Sequence, residues 1–342
     1  MAVLWFCIVA AILISYAVLD GFVLGAGVAY LPAAKTNDER GRVLRAVVWG
    51  ANELWLLAAA ATIYFAFPNL YASLINGFRG LLIAGLILLT IRKAAPLLRR
   101  IIGNPGFQSL ADFLFEVSSI LLSLLLGLLI GNVVRGVPLD ASSNFYEPVW
   151  NGWKLSAHPG IVDWFTALTS LVALVTFAAH GSYFVALKTD EDLGRRVRGF
   201  ALLLWPVQFF LTFSTLVAAY FIRPEIMANY DHHQIGLVIP AIGIASLGIM
   251  VWAVPNNKEK VALVASTLYL IFLLAGTAYS LYPVLLPARD HEFDLTVHNS
   301  GAVGHHLSAT ILWMLFAAVI GLAYFIFVHR ASGGKIPAEE SR

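Results

Sequence analysis

Cysteine is nearly absent from this chain, and charge is scarce. Cys7 is the single cysteine in 342 residues, which excludes an internal disulfide, a C-x-x-C redox pair and a C-x-x-C-H haem attachment. Asp, Glu, Lys and Arg make up only 12% of the sequence, about half of what a soluble domain carries. The formal net charge is +2, and the Lys and Arg residues lie in short clusters between apolar runs, so nucleic acid is not an expected partner. The first apolar run has no basic n-region before it and is read as a retained helix. No low-complexity segment or visible repeat interrupts the chain. What is present is apolar: 59% of residues are hydrophobic and the mean hydropathy is +0.79. No globular core of this length needs so much apolar surface, so lipid is the expected solvent.

A span needs roughly 20 apolar residues to cross about 30 Å of hydrocarbon. Nine stretches qualify: Ala2–Leu31, Val47–Phe67, Leu70–Ile91, Ala111–Val133, Ile161–Leu187, Phe200–Ile222, Ile235–Val254, Val261–Leu286 and Leu307–Val328. The expectation is an all-α, polytopic membrane protein of nine transmembrane helices, with residues 1–342 forming one integral membrane domain. The short turn at Pro68-Asn69 makes the second and third spans antiparallel neighbours. Of the 22 Lys and Arg residues, 17 fall at one set of span ends, 4 at the other, and Arg79 lies within a span. Loops rich in Lys and Arg stay in the cytoplasm, which puts the N-terminus outside and the C-terminus in the cytoplasm. The longest outside loop, about 135–160, carries Trp150 and Trp153 at the expected headgroup level.

Ionisable groups inside spans are costly and usually face a protein interior or a water-filled cavity. Asp20, Glu53, Arg79, Asp112, Glu116 and His180 are of this kind. All except Arg79 fall in the half of the membrane nearer the basic loops, with Glu53 about 10 Å in from its helix end. Asn52 stands beside Glu53. Carboxylates and a histidine in one half can relay protons; they can equally satisfy a helix end or pair with an arginine. Most histidines lie in outside loops (His158, His232, His233, His291, His298, His305 and His306) without a metal-ligand spacing, so no metal site is expected. Gly21, Gly25 and Gly27 lie in a membrane helix, where such spacing favours close helix packing over nucleotide binding. Pro206, Pro240 and Pro283 are read as helix kinks.

Five segments carry a family likeness. They are Leu19-Asp20-Gly21-Phe22-Val23-Leu24-Gly25; Trp49 to Leu57 with Phe65-Ala66-Phe67-Pro68; Gly131 to Asp140; His180-Gly181-Ser182-Tyr183; and Tyr282-Pro283 to Asn299. Their identity and order, over almost the whole chain, resemble subunit II of cytochrome bd-type quinol oxidases. The resemblance implies a complex with a haem-bearing subunit I, which holds haem b and haem d. That complex oxidises quinol and reduces dioxygen to water with protons from the cytoplasm. Subunit II of the family shares the helical scaffold of subunit I and carries no catalytic residue or haem of its own; a structural quinone occurs in some members. Small accessory membrane subunits and lipid complete the expected surroundings, in a bacterial or archaeal cytoplasmic membrane.

On this resemblance Glu53, Asn52, Asp20 and His180 are proton-path candidates and Trp55 marks an oxygen path. His180 is also the best internal candidate for an axial haem ligand. The chain departs from the family where Val23 and Gly50 stand in place of Asp, and Leu97 in place of Glu. That leaves two routes open, through Glu53 alone or through the partner, and it leaves a different donor or acceptor open. The reading from another class is a self-contained secondary transporter, motivated by Asp20, Glu53 and Arg79 within the membrane and by proline-interrupted helices.

Overall fold

A computed structural model describes residues 1–47, 52–155, 159–189 and 191–301. Within them the chain is mostly helical: α1 (Ala2–Val28), α2 (Asn37–Val47), α3 (Glu53–Ala66), α4 (Pro68–Gly77), α5 (Arg79–Ile101), α6 (Pro105–Arg135), α7 (Trp164–Lys188), α8 (Glu191–Ile222), α9 (Val238–Ala253) and α10 (Glu259–Leu281). Seven helices are long and apolar enough to cross a membrane, and Glu53–Ala66 is a shorter apolar helix. Among the described residues the all-α pattern is broken by a small antiparallel pair, β1 (Val284–Leu286) with β2 (Leu295–Thr296), and by two isolated bridges.

Two apolar clusters define the two ends of the bundle. At one end Trp5 and Val9 of α1 pack with Phe67, Phe78, Val137, Phe145 and Leu286; this is the loop end. At the other, Val23, Ala26 and Tyr30 pack with Val43, Leu44, Ala95, Phe115, Val185 and Leu193; this is the basic end. α1 and α5 both run from the loop end to the basic end, and the shorter α3 returns between them. The ninth expected span, Leu307–Val328, lies outside the described residues, as do His158, His305, His306, Trp49 and Gly50.

Local sequence sets where the helices begin. Asn104 accepts hydrogen bonds from the backbone of Gly106 and Phe107, with Pro105 in the first turn of α6. Asp163 and Thr166 form a reciprocal capping box on α7, and Thr36 and Glu39 do the same for α2. Each satisfies N–H groups that a helix start leaves unpaired.

The third span differs from its sequence reading. Residues 70–77 belong to α4, which lies against the loop end: Ser73 donates to the Ser143 carbonyl at 2.5 Å and Asn76 to Asn144 at 3.2 Å. The crossing helix is α5, which begins at Arg79 and runs ten residues past Ile91, to Ile101. Arg79 is therefore not mid-span but the first residue of its helix. Of the second span, Val47–Phe67, the described helix is α3, which has 14 residues with Glu53 in its first turn. At 1.5 Å per residue that is about 21 Å, short of the hydrocarbon thickness. The eighth ends at Leu281 rather than Leu286, because the chain turns there into β1.

Glycines seat α1 against α7. A Cβ on Gly25 would run into the Phe177 carbonyl oxygen, and one on Gly181 into the backbone of Gly25 and Ala26. The two backbones touch, as small residues in membrane helices permit.

Candidate functional site

Three helices bring four charges together in the half of the bundle nearer the basic end. Asp20 on α1 is fully buried. Arg92 on α5, with a side chain 1% exposed, donates from Nη2 to both Asp20 oxygens at 2.9 Å. The same nitrogen reaches Glu53 Oε1 on α3 at 3.1 Å, and Lys93 Nζ meets that oxygen at 2.9 Å. Asn52 Nδ2 donates to the Leu19 carbonyl at 2.9 Å, tying the start of α3 to α1. Two carboxylates face two cations, which is the condition for keeping ions at such depth.

Sequence reasoning found Asp20, Glu53 and Asn52 but missed Arg92 and Lys93, which it assigned to a loop. The signal was Arg79. Placed in mid-span it is an unpaired cation in lipid; moving the helix start to Arg79 puts it at the membrane edge and draws Arg92 and Lys93 inside.

The other candidates separate from this centre. Asp112 holds the basic end together, accepting from Tyr30 at 2.7 Å, Arg99 at 2.6 Å and Arg40 at 3.3 Å. Glu116 is half-buried one turn further along α6, and Trp55 is half-buried in the first turn of α3. His180 is buried beside Gly21, and among the described residues its hydrogen bonds run to Val18 and Ser266 rather than to Asp20 or Glu53. A neutral polar group on α7, α8 and α10 also escaped a search confined to ionisable residues: Thr212 and Tyr269 hydroxyls lie 2.5 Å apart, beside Thr176 and Gln208.

A second buried ionic knot closes the loop end. The Arg135 guanidinium bonds Asn132 and Glu147 at 2.6 Å each, the Gly160 carbonyl at 2.9 Å, and Asp163. It thereby joins α6, the following loop and the cap of α7. Burial pushes the Glu147 carboxyl up to about 7, against the opposing pull of Arg135 and then Arg289. A carboxyl raised in the fold favours the protonated form. Its contribution is complete below the ordinary carboxylate range and is lost as pH rises to about 7. Replacing Glu147 with Gln is therefore expected to flatten the fall in thermal stability between about pH 4.5 and pH 7. Melting temperatures of both proteins across that range measure it, and parallel curves would remove Glu147 from the account.

Residues 1–332 match the family model for cytochrome bd terminal oxidase subunit II. The chain belongs to that family. It is 26% identical to cytochrome bd ubiquinol oxidase subunit 2 of Bacillus subtilis, with 96% of each chain covered. To cytochrome bd-I ubiquinol oxidase subunit 2 of Escherichia coli K12 it is 22% identical, over 83% of this chain and 81% of that one. A chain of the bd oxidase from Geobacillus thermodenitrificans shares the fold, at a TM-score of 0.71 and 14% identity, covering 96% and 98% of the two chains.

As a bd-oxidase subunit II, the chain is part of an oxidoreductase complex and has a partner subunit I. Family membership displaces the reading as a self-contained transporter. It also sharpens the question of whether His180 suits a haem iron. His180 Nε2 faces the Val18 carbonyl at 3.2 Å, and a carbonyl only accepts, so Nε2 carries the hydrogen. Nδ1 lies 2.8 Å from the Ser266 hydroxyl, whose single proton also faces the Leu263 carbonyl at 2.9 Å. Phe22 stacks on the ring at 4.5 Å. Nε2 faces a carbonyl, Nδ1 a hydroxyl and the ring face Phe22, so this imidazole does not fit an axial ligand.

Proposed function

We propose that this chain is the non-haem subunit of a quinol-oxidising complex that reduces dioxygen to water. In this role its helices pack the haem b- and haem d-bearing subunit I and give protons access from the cytoplasm. The N-terminus lies outside, and a ninth helix over Leu307–Val328 returns the C-terminus to the cytoplasm. The excess of Lys and Arg at the basic end supports that orientation. A structural quinone and small accessory subunits belong to the same reading, in a bacterial cytoplasmic membrane.

One observation carries the proton-access role: the buried network of Asp20, Arg92, Glu53 and Lys93. Glu53 is its half-open member, with a side chain 25% exposed, whereas Asp20 is enclosed. A proton bound for Asp20 from the basic end meets Glu53 first, and Glu53 already shares its charge between two cations. Asn52 fixes where that carboxylate stands. His180, set between Val18 and Ser266, is a link between α1, α7 and α10 in this scheme. Trp55, beside Glu53 in sequence, keeps the oxygen-path role the family implies.

Replacing Glu53 with Gln keeps the shape and removes the carried proton. The expected result is turnover slowed by roughly 10²-fold, with subunit assembly and haem content unchanged. Oxygen consumption by the purified complex measures the first, and its optical spectrum the second. Unaltered turnover would make Glu53 a structural residue.

A further inference from the structure

On the basic side of the Asp20–Arg92 pair lies a cavity of about 30 Å³, lined by Val23, Val47, Arg92, Lys93, Pro96 and Phe115. That is room enough for a water, which needs about 10–15 Å³ by this measure. Four walls are apolar. The remaining two are Arg92 and Lys93, and Arg92 uses only Nη2 on the carboxylates. Its Nε and Nη1 are buried with no hydrogen-bond partner among the described residues. They lie on different edges of the guanidinium, so one small molecule satisfies one of them.

Pro96 supplies the complement. It sits inside α5, four residues after Arg92. A proline has no N–H to give the carbonyl four residues earlier, so the Arg92 carbonyl lacks its usual helical donor. The cavity is thus lined by the residue that carries the unused donors, by the proline that strips a carbonyl of its partner, and by Lys93. An anion would meet a carbonyl lone pair and a cluster already balanced in charge. Water both donates and accepts, and it needs two to four polar partners.

We infer that this cavity is a hydration site holding one ordered water between Arg92, the Pro96 gap and Lys93, and that this water is the port through which the Asp20–Glu53 network exchanges protons with the basic-end solvent. The port role rests on the proposed proton access; the water itself does not. Arg92 holds the water on one edge and both carboxylates on another, so a proton crossing the site stays within reach of Glu53. Pro96 leaves the helical ladder of α5 one bond short beside Val23, Val47 and Phe115, which line the same cavity.

Radiolytic hydroxyl labelling of the assembled complex in isotopically heavy water reads bound water without reference to activity. Oxidation of Pro96 or Phe115, with label from slowly exchanging water, is expected. Val23→Leu adds one methylene into the cavity, and Val47→Leu does so from another wall. Each should abolish that labelling and slow turnover several-fold while the melting temperature holds. If neither residue is labelled in the parent complex, the inference falls, whatever Glu53→Gln does. Labelling that the filled variants lose without slowing, while Glu53→Gln slows, makes the water structural and overturns the port. If Glu53→Gln leaves turnover intact, the proton-access reading falls with the port, and the labelling still decides the water.

Discussion

Replacing Arg92 with Met is expected to cost the fold about 3–5 kcal/mol, because Asp20 is then left buried without its partner. Asp20 is fully enclosed, and both of its oxygens are bonded by one Arg92 nitrogen. Methionine matches the aliphatic stem of the arginine, so the change removes charge more than volume. A loss of this size lowers the melting temperature on the order of 10 °C, and much of the protein should fail to assemble. Adding Asp20→Asn to the same chain removes the stranded charge and should restore a large part of the stability. Arg92→Met with an unchanged melting temperature would show that the pair contributes nothing to the fold. A double variant no better than the single one would show that the loss is packing.

The second large effect is expected from a single methyl group. Gly25→Ala places a Cβ against the Phe177 carbonyl oxygen and the Gly181 nitrogen, both of them backbone atoms. Neither can swing aside, so α1 and α7 must move apart. Overpacking costs about 1–3 kcal/mol and occasionally more, and here the separation also stretches the His180 bond to Val18. Gly248 on α9 provides the contrast, since a Cβ there meets nothing within 4 Å. Gly248→Ala should be neutral or gain up to about 1 kcal/mol from helix propensity alone. Thermal unfolding of the two variants side by side tests the pair. Equal behaviour would mean that the α1–α7 seam is not close-packed in the membrane.

Much of this architecture is legible in the sequence because lipid makes simple demands. Apolar runs such as Ala2–Leu31 map onto α1 with little ambiguity, and the glycines of that run do seat a neighbouring helix. Asp20 and Glu53 stand out because charge is rare inside such runs. The failures share one cause. A hydropathy run does not say where a helix stops lying along the surface and starts to cross, so Leu70–Ile91 merged α4 with the first half of α5. That merger hid Arg92 and Lys93 and left Arg79 stranded. The loop-end knot was hidden for another reason: Arg135, Glu147 and Arg289 are distant in sequence and look like ordinary loop charges, and Asp163 sits at the very start of an expected span. Only the return of the loop over the helix ends buries them. Pairings of this kind depend on tertiary closure, and no local pattern announces them.

The Asp20–Arg92 bond also sets an order of events during synthesis. Its partners are 72 residues apart. At about 5–20 residues per second the ribosome needs roughly 4–14 s to supply the arginine after the aspartate. Over that interval α1 holds a carboxylate in or near the lipid alone, at a cost of up to about 2.5–3.5 kcal/mol. The surrounding run, with a mean hydropathy of 2.6 in its most apolar stretch, can offset that cost. The first helix can thus enter the membrane ahead of α5 on its apolar run alone, and any change that makes α1 less apolar should be felt as failed biogenesis before it is felt as lost activity.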